Sequence, residues 1–538
     1  MMTRTSSEQT RGRHRVHAAC SPGMVWSTSS LALAGLLFSS AGAGCGTDDD
    51  CASRATCAVP SIDSGDSGVV DGGGDGQVPP PPGCDESADP KDAPKCVVNA
   101  YGVFVDGVGG ADTNAGTKES PLKSVTAALG KLGGKPRVYV CGAGPYVERV
   151  KLPSGVSLYG GFGCGGWSYD GTKAKVSPSE PGYALHVENA PKAVVVSDLE
   201  LVAKDAEGAG GSSIAVFVSR ASQVTLRRTR VMAGTAQGGT DGSVMADFTP
   251  ANAPDGTGGA GGGGATPNPA CPTSIGGAGG KDGAVSGGAG QVAVTPEHPT
   301  GNTGAGGMSG GNCGVGIGTD GSYGGAGAPG AGAATVGTLD ATGWKGAAGT
   351  AGGAGGHGQG GGGGAQRNAG GVGGSGGPGG CGGAGGANGT AGGSSIAVLA
   401  YESTLLVEES SLSAKDAGRG GNGAKGQKAQ LMGNVGVKNG ANACDGGFGG
   451  IGGSGGGGGG GAGGISAGIL YKGNAPTIDG ASAASADTHA SVSVGAAGAG
   501  GGKGAGGDAA QTTAPASRAG QEGTAGADGA AKAVLSAP

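Results

Sequence analysis

The chain has 538 residues, of which 135 are glycine and only 3% are aromatic. So little large apolar material excludes an ordinary packed core along the whole length, and only part of the chain is expected to fold as a globular body. The formal net charge of −6 offers no basic surface for nucleic acid, so we expect no nucleic-acid partner.

The first 44 residues have the features of an export signal. Arginines precede an apolar stretch at 31–38, and small residues follow it up to Cys45. This stretch is far shorter than the roughly 20 residues that span a bilayer, which predicts a cleaved signal peptide, 1–44. The segment ending at Cys45 resembles a bacterial lipobox, with Gly42 where that family usually has Leu. The resemblance implies a lipid on Cys45 and, because Gly46 follows, an outer-membrane or cell-surface lipoprotein of a Gram-negative bacterium; ordinary cleavage to a soluble exported protein is the alternative.

Residues 45–98 are rich in Asp, Ser, Gly and Pro, including four consecutive prolines at 79–82. Such a composition buries too little apolar surface to fold by itself. We therefore expect an acidic, Pro-rich tether between the lipid anchor and the folded part.

The cysteines favour disulfides over a metal site. Ten remain once Cys20 leaves with the signal and Cys45 carries lipid, and no CxxC pair or histidine cluster is present. An even number in an exported chain predicts disulfides, with no metal and no cofactor. Nearest-neighbour pairing would close small loops, and Cys141 with Cys164 is the most favoured pair because both flank predicted strands. The candidates are Cys51, Cys57, Cys84, Cys96, Cys141, Cys164, Cys271, Cys313, Cys381 and Cys444.

Residues 99–233 predict short strands with one short N-terminal helix. Ser120 as a cap and Pro121 at the first helical position mark the helix, and apolar strands follow at 137–140 and 156–159. A repeat comes next, because the pattern of 185–206 reappears at 396–417, and a third copy starts at Ile214. In this alignment Leu185, Ile214 and Ile396 are equivalent. Strand pairs repeated at this scale are typical of a solenoid, in which stacked coils share one core.

Residues 101–234 resemble pectin-lyase-like right-handed parallel β-helix proteins. The matching motifs include Val105-Asp106, Ser120-Pro121 and the run Tyr159-Gly160-Gly161-Phe162. The resemblance implies an all-β fold, a right-handed parallel β-helix, with N-terminal coils at 99–233, one coil at 394–417 and a last coil at 465–495. It implies little about function, because one fold hosts many activities.

Alignment of the predicted coils places opposite charges side by side. Ser197-Asp198, Arg227-Arg228 and Glu408-Glu409 become equivalent, and Glu200 becomes equivalent to Arg230. Opposite charges on neighbouring strands stabilise the pairing by roughly 0.2–1 kcal/mol per pair. We therefore expect a structural charge ladder, and not a ligand site, formed by Asp198, Arg228, Glu409, Glu200 and Arg230.

Two glycine-rich insertions, 234–393 and 418–464, interrupt the predicted coils. Glycine occupies every third position from Gly343 to Gly385 except Arg367, and again from Gly446 to Gly464. Proline is too rare for collagen, but a threefold helix of the polyproline-II type remains possible. The segments also resemble the Gly-Gly-Ala repeats of PE-PGRS proteins in composition. Bundled polyglycine-II strands and disordered loops stay open as alternatives, and 496–538 is expected to be a disordered low-complexity tail.

The sequence offers no clear catalytic group. Polysaccharide lyases and hydrolases need clustered carboxylates, and the acidic residues of the predicted coils do not assemble into such a cluster. We expect a surface lipoprotein with a structural or adhesive role, anchored to outer-membrane lipid through Cys45 and contacting surface polysaccharide or other cell-surface components. A carbohydrate-active enzyme of the pectin-lyase-like group, a polysaccharide lyase or hydrolase, is the alternative.

Overall fold

The computed structural model describes residues 76–538 except 143, 260–262, 284, 292–302, 310–311 and 512–518. The predicted signal peptide, Cys45, Cys51, Cys57 and the first part of the expected tether lie outside the described residues. The described part of the chain is all-β, with three large sheets and few helices.

The three sheets are built mainly from short strands. Sheet 1 contains, in spatial order, β1 (Gly102–Val105), β2 (Arg137–Cys141), β5 (Ser157–Phe162), β8 (Val194–Ser197), β11 (Val224–Arg227), β18 (Leu405–Glu408), β21 (Thr477–Ile478) and β22 (Ala481–Ser482). Sheet 2 contains β4 (Val150–Leu152), β7 (Leu185–Glu188), β10 (Ser213–Ser219), β17 (Ser395–Tyr401), β20 (Ser466–Lys472) and β24 (Ala531–Ser536). Sheet 3 contains β3 (Pro145–Tyr146), β6 (Ala174–Val176), β9 (Leu199–Val202), β12 (Arg230–Met232), β19 (Ser411–Ser413) and β23 (Val492–Ser493). Two separate antiparallel hairpins pair β13 (Pro267–Asn268) with β14 (Cys271–Ile275), and β15 (Gly337–Asp340) with β16 (Gly343–Gly346).

Consecutive strands of the chain belong to the three sheets in a fixed, repeating order. From β2 onward it enters sheet 1, then sheet 3, then sheet 2, and this order repeats to β24, apart from the hairpins and β22. All pairings between strands of the three sheets are parallel except that of β21 with β22. The long glycine-rich segments all follow a sheet 3 strand and precede a sheet 2 strand.

The predicted alignment of the repeats is correct in two sheets and shifted in the third. Val194, Val224 and Leu405 face one another in sheet 1, as predicted. In sheet 2, however, Leu185 lies beside Val216 and not beside Ile214. The shift is two residues, and because side chains alternate with a period of two, it leaves every side chain on its predicted face.

Rows of aliphatic side chains fill the space between the sheets. The inner row of sheet 1 continues through Val138, Leu158, Val196, Leu226 and Val407, all buried. Burying one such side chain contributes about 1.5–3 kcal/mol. Burial of these aliphatic rows therefore contributes to holding the three sheets together.

Sheet 2 is covered on its outer face as well. Its outer row includes Phe217 and Leu399, and these pack with Leu339 and Trp344 of the β15–β16 hairpin. The hairpin belongs to the first glycine-rich insertion. The insertion therefore contributes apolar cover to the sheets and is not a separate appendage.

The described residues contain two α-helices, α1 (Val125–Gly130) and α2 (Cys313–Gly316), where one short helix was predicted. A 3₁₀ turn spans Pro94–Cys96. Helix α1 begins after Ser124, not after Ser120, because Leu122 is held in extended backbone: its amide donates to the Phe104 carbonyl and its carbonyl accepts from the Asp106 amide.

The glycine-rich insertions form ladders of backbone hydrogen bonds that repeat every three residues. Segment 349–364 pairs antiparallel with 374–389, and both pair with 447–459. Three segments that each bond the other two cannot lie in one flat sheet. They require amides that point in several directions around each strand, as in a threefold polyproline-II geometry. The polyglycine-II hypothesis fits these ladders, and the alternative of disordered loops is wrong for the described residues.

The close spacing of neighbouring backbones explains why these ladders are rich in glycine. A Cβ atom built on Gly382 would lie 1.9 Å from the carbonyl oxygen of Gly355, and one on Gly355 would lie 1.9 Å from that of Gly453. No side chain fits at such distances. Glycine is therefore required at these positions by the spacing of neighbouring backbones, and not by a positive φ angle.

Two segments expected to be unstructured are packed instead. In the expected tail, 496–538, glycines at every third residue, from Gly498 to Gly507 and from Gly520 to Gly529, join the ladders, and β24 extends sheet 2. In the expected tether, 76–98, which we call the strap, Ala93, Cys96 and Val97 are buried. The strap has too few apolar residues to fold by itself. A disulfide and packing on the outer face of sheet 1 supply the missing stabilisation.

Candidate functional site

The predicted charge ladder lies where strands of sheet 1 end and the chain turns toward sheet 3. Arg227 lies between Ser197 and Glu408 in adjacent strands, as predicted. Its Nε is 2.6 Å from a carboxylate oxygen of Glu408. Arg228 Nη2 is 2.6 Å from a carboxylate oxygen of Asp198, whose side chain is almost completely buried. Each of the two arginines therefore pairs with one acidic residue of a neighbouring strand or of the turn that follows it.

Glu409 does not join this ladder. Among the described residues it forms no ion pair with Arg228, and its amide donates to the Asp479 carboxylate instead. Arg228 bonds a second acid from outside the sheets, because Asp89 of the strap lies 2.7 Å from its Nη2. The strap carboxylate thus takes the role predicted for Glu409. Burial lowers the pKa of Arg228, but its hydrogen bonds to Asp198 and Asp89 outweigh that effect and raise it above its ordinary value.

Glu200 and Arg230 pair across sheet 3 as predicted. Their charged atoms are 3.8 Å apart, and Lys175 approaches Glu200 from the other side at 3.4 Å. Arg230 is more than half exposed. Exposed pairs contribute only about 0–1 kcal/mol, so this part of the ladder sets register more than stability.

The strap covers an aromatic surface on the outer face of sheet 1. Phe104, Tyr139 and Tyr159 pack against one another along neighbouring strands, and Trp167 packs edge-on against Phe104. The Tyr139 hydroxyl donates to the Cys96 carbonyl of the strap at 2.7 Å. Burial raises the pKa of Tyr139 well above its ordinary value. This surface is therefore a packed interior beneath the strap.

A cavity of about 390 Å³ lies between the strap and sheet 1. Arg137 lines it and is only 3% exposed, with its guanidinium 5.2 Å from the ring centroids of both Tyr101 and Tyr159. Nη2 of Arg137 donates to the Glu86 carbonyl at 2.7 Å. Lys192 also lines the cavity. Two cations and two tyrosines thus line this cavity.

A second, smaller cavity of about 290 Å³ contains two carboxylates beside Lys123. Asp112 accepts from the amides of Lys123 and Ser124, and Glu148 accepts from the first two amides of α1. These carboxylates satisfy backbone donors that a helix start leaves unpaired. The group is therefore explained as helix capping and supplies no paired acid and base.

Four disulfides occur among the described residues, and two match nearest-neighbour pairing. Cys84 pairs with Cys96, and Cys141 with Cys164. The other two differ from that pairing: Cys271 joins Cys381 and Cys313 joins Cys444, across 110 and 131 residues. The reason is the folding of the insertions, which brings distant ladder segments side by side.

The described residues contain one group of three potential metal ligands, Asp106, Cys141 and Cys164. Both sulfur atoms of this group belong to the Cys141–Cys164 disulfide. A disulfide sulfur is not a thiolate, which is the form that binds metals. The group therefore does not define a metal site in the oxidised protein.

Sequence reasoning missed Asp89, Arg137 and Tyr101. The first lies in the strap, whose composition predicted a tether. Paired cysteines at 84 and 96, bracketing the apolar Ala93 and followed by Val97, were the available signal. Arg137 and Tyr101 border predicted strands, and nothing in their spacing indicates a cavity.

No protein-family model matches the sequence, and no curated protein or solved structure matches it either. In the part of the chain that the structure describes, no helix is long and apolar enough to cross a bilayer. The observations define an all-β protein with parallel sheets and few helices, carrying hydrogen-bonded glycine ladders.

Proposed function

We propose that this protein is an exported bacterial lipoprotein, displayed at the outer membrane, that acts as a non-catalytic structural or adhesive scaffold. Its body would be a right-handed parallel β-helix of the pectin-lyase-like type. The glycine ladders would be insertions into that helix, similar in composition to PE-PGRS repeats.

The rotation of the chain through three parallel sheets supports the β-helix proposal. Parallel strands joined by crossovers are right-handed in about 98% of cases, which favours the proposed hand. Each insertion would then extend the same corner of successive coils, between sheet 3 and sheet 2.

The disulfide-stapled glycine bundle is the observation that carries the proposed role. Its inner backbones are too close for side chains, so it adds rigid length and surface. Cys271–Cys381 and Cys313–Cys444 link distant segments of the bundle. Such bonds persist in oxidising compartments, which supports export. A rigid, extended surface suits a scaffold that makes many individually weak contacts.

Five acidic residues in and around the sheets support the non-catalytic proposal. Asp89, Asp198 and Glu408 form ion pairs with Arg227 or Arg228, and Asp112 and Glu148 cap backbone amides. A glycosidase needs a carboxylate pair open to the substrate. Detection of a carbohydrate-active enzyme activity would therefore overturn the proposal.

The test uses the full chain in a Gram-negative host, beside Cys45→Ser. We expect radiolabelled palmitate in the wild type only, fractionation with the outer membrane, and protease sensitivity on intact cells. Purified protein incubated with acidic and neutral polysaccharides should release no reducing ends and no unsaturated products. Release of either product would overturn the scaffold role, and equal labelling of Cys45→Ser would overturn the anchor.

A further inference from the structure

The Cys141–Cys164 disulfide and the Asp106 carboxylate lie together where the first strands of sheet 1 end. Val105 lies beside Val140 in the parallel pair of β1 and β2, so the next residues, Asp106 and Cys141, are neighbours as well. Cys164 follows the end of β5 and is joined to Cys141. One carboxylate oxygen and both sulfur atoms lie within 4.8 Å of one another. The ends of three adjacent strands thus bring three potential metal ligands to one point.

The position of Cys164 makes this disulfide the most accessible of the four in the described residues. Cys164 is the only exposed cysteine of the four bonds, whereas Cys141 is fully buried. Exposed disulfides are the readily reduced ones, because exchange requires a thiolate to reach the bond. A small thiol would attack Cys164 Sγ and release Cys141 as a thiol. A second small thiol would then release Cys164 and leave with the first as a disulfide, so that the two small thiols supply both electrons and both protons.

The two sulfurs would stay close after reduction, because each is held independently of the bond between them. Cys141 belongs to β2, which is paired with strands on both sides. The loop that carries Cys164 is closed by the Gly163 amide, which donates to the Ser168 carbonyl at 3.0 Å. The same loop is anchored by Trp167, whose side chain is buried. Reduction is therefore expected to separate the sulfurs without releasing the loop.

The Asp106 carboxylate is fixed in place and keeps one oxygen available. Its Oδ1 accepts from the amides of Val108 and Gly109 at 3.0 and 2.8 Å. Its Oδ2 accepts no hydrogen bond from the part of the chain that the structure describes. The residue is only 8% exposed. Because buried polar atoms normally have a partner, an oxygen without a donor beside two sulfurs is suited to a cation.

We propose that the reduced protein binds Zn²⁺ through Cys141, Cys164 and Asp106. Zinc takes thiolate and carboxylate ligands in a tetrahedron, and at bond lengths of about 2.0–2.3 Å these ligands lie roughly 3.3–3.8 Å apart. Cys164 has room to move to this distance, because a Cβ on the adjacent Gly165 would meet nothing within 4 Å. The ion displaces the two thiol protons, and water completes the tetrahedron. This site is independent of the proposed scaffold role, and it makes metal binding depend on the redox state.

The first measurement identifies which bond is reduced. The purified oxidised full chain is treated with increasing amounts of a water-soluble phosphine, which becomes the phosphine oxide while water supplies the oxygen and the two protons. New thiols are alkylated and located by peptide mass spectrometry. We expect Cys141 and Cys164 to be labelled at a lower phosphine concentration than the cysteines of the other three described bonds. Earlier labelling of any of those three would overturn the proposal.

Zinc affinity is then measured by competition with a chromophoric chelator, after removal of the phosphine and without air. Asp106→Asn is the main variant, because it keeps the disulfide for folding and an Oδ1 that accepts from the same two amides. It should bind Zn²⁺ at least about tenfold more weakly, since loss of even an outer-shell partner costs about 10–100-fold. Asp340→Asn is the matched control: Asp340 also accepts from the amide two residues ahead, but it lies in the β15–β16 hairpin and should leave the affinity unchanged.

Cobalt reports on the sulfur ligands, because Co²⁺ bound by thiolates has a strong sulfur-to-metal charge-transfer absorption. We expect this absorption in the reduced wild type. It should be absent from the oxidised wild type and from the double variant Cys141→Ser, Cys164→Ser, whose folding is checked by circular dichroism. Equal zinc affinity of the wild type and Asp106→Asn, or the same cobalt absorption in the double variant, would overturn the proposal.

Discussion

Four residues at equivalent corners after the strands of sheet 1 share an unusual backbone. Asp198, Arg228, Glu409 and Asp479 have φ values of 56°, 49°, 46° and 48°. The left-handed region costs a non-glycine residue roughly 1–2 kcal/mol, so each corner needs compensation. Side chains supply it: Asp198 bonds Arg228, and the Asp479 carboxylate accepts from the Glu409 amide. The charged residues of the ladder thus serve the corners as well as the register.

Asp89→Asn is expected to loosen the strap. The carboxylate is buried and bonds Arg227 and Arg228, each of which keeps one other acid, so we expect a loss of about 1–3 kcal/mol in the free energy of unfolding. Amide hydrogen exchange should rise first in 84–98. Asp92→Asn is the matched control, because Asp92 lies on the same segment with its side chain 60% exposed. Equal effects of the two substitutions would contradict the anchoring role.

His186 predicts a pH dependence of stability. Its ring stacks on Phe217 at 5.0 Å between centroids, and burial lowers its pKa below the ordinary value. The nearby charges, Glu188 on the same strand and Lys151 on the neighbouring strand, neutralise each other at 2.9 Å. As the pH falls, His186 is protonated in the unfolded chain at a higher pH than in the folded protein. The contribution of the neutral His186 ring to stability is therefore present above about pH 6.5 and is lost as the pH falls through the folded pKa.

The measurement compares thermal midpoints of the wild type and His186→Phe between pH 8 and pH 5. Phenylalanine keeps the stack on Phe217 and removes the titrating group. The variant should therefore lose less stability than the wild type over this range. Identical pH profiles for the two proteins would show that His186 does not contribute.

At the scale of elements, the glycine ladders tolerate no side chain on their inner segments. Gly382→Ala would place a methyl group 1.9 Å from the Gly355 carbonyl oxygen, and both backbones are hydrogen-bonded to further segments. Overpacking of this kind costs about 1–3 kcal/mol or more. Gly264→Ala is the control, because its Cβ would meet nothing within 4 Å. Urea unfolding should show a lower midpoint for Gly382→Ala alone, and a normal midpoint would mean that the ladder does not contribute to global stability.

Side chains protect the outer edges of these ladders. Asp241 accepts from the Asn422 amide, Asn422 accepts from the Gly502 amide, and Thr390 accepts from the Thr240 amide. Unpaired backbone groups at an edge invite pairing with other chains. The scattered Asp, Asn and Thr residues of the insertions are therefore explained by edge amides, a role that composition alone does not indicate.

At the scale of the whole molecule, pairing between copies of the sequence repeat was predictable, and pairing between unlike segments was not. The alternation of apolar and polar residues predicted the correct face for the sheet residues. Alignment of the repeat copies predicted the residues that lie beside Arg227. The partners of Cys271 and Cys313 were not predictable, because they depend on how ladders fold back over more than 100 residues. Asp89 was missed for the same reason: its partners lie about 140 residues away on another element.

The sheets and the glycine ladders are expected to unfold as one unit. Hydrogen bonds run without interruption from the ladders into sheet 2, where the Ser395 amide donates to the Ile465 carbonyl and the Ser466 amide to the Ala530 carbonyl. The β15–β16 hairpin also buries the outer face of sheet 2 through Leu339 and Trp344. A circular dichroism melt of the oxidised protein should therefore show a single transition.

Replacement of 234–393 by a short linker tests this coupling. The change removes the hairpin over Phe217 and the ladder partners of 418–433 and 447–459, and each large apolar side chain uncovered costs about 1.5–3 kcal/mol. The shortened chain should melt at a lower temperature and bind an apolar dye. Leu339→Ala isolates the hairpin contact, and it should shift the midpoint by a fraction of the full effect. A shortened chain with an unchanged midpoint would mean that the sheets are stable alone, and the insertion would then be an independent module whose rigidity comes from its own ladders and disulfides.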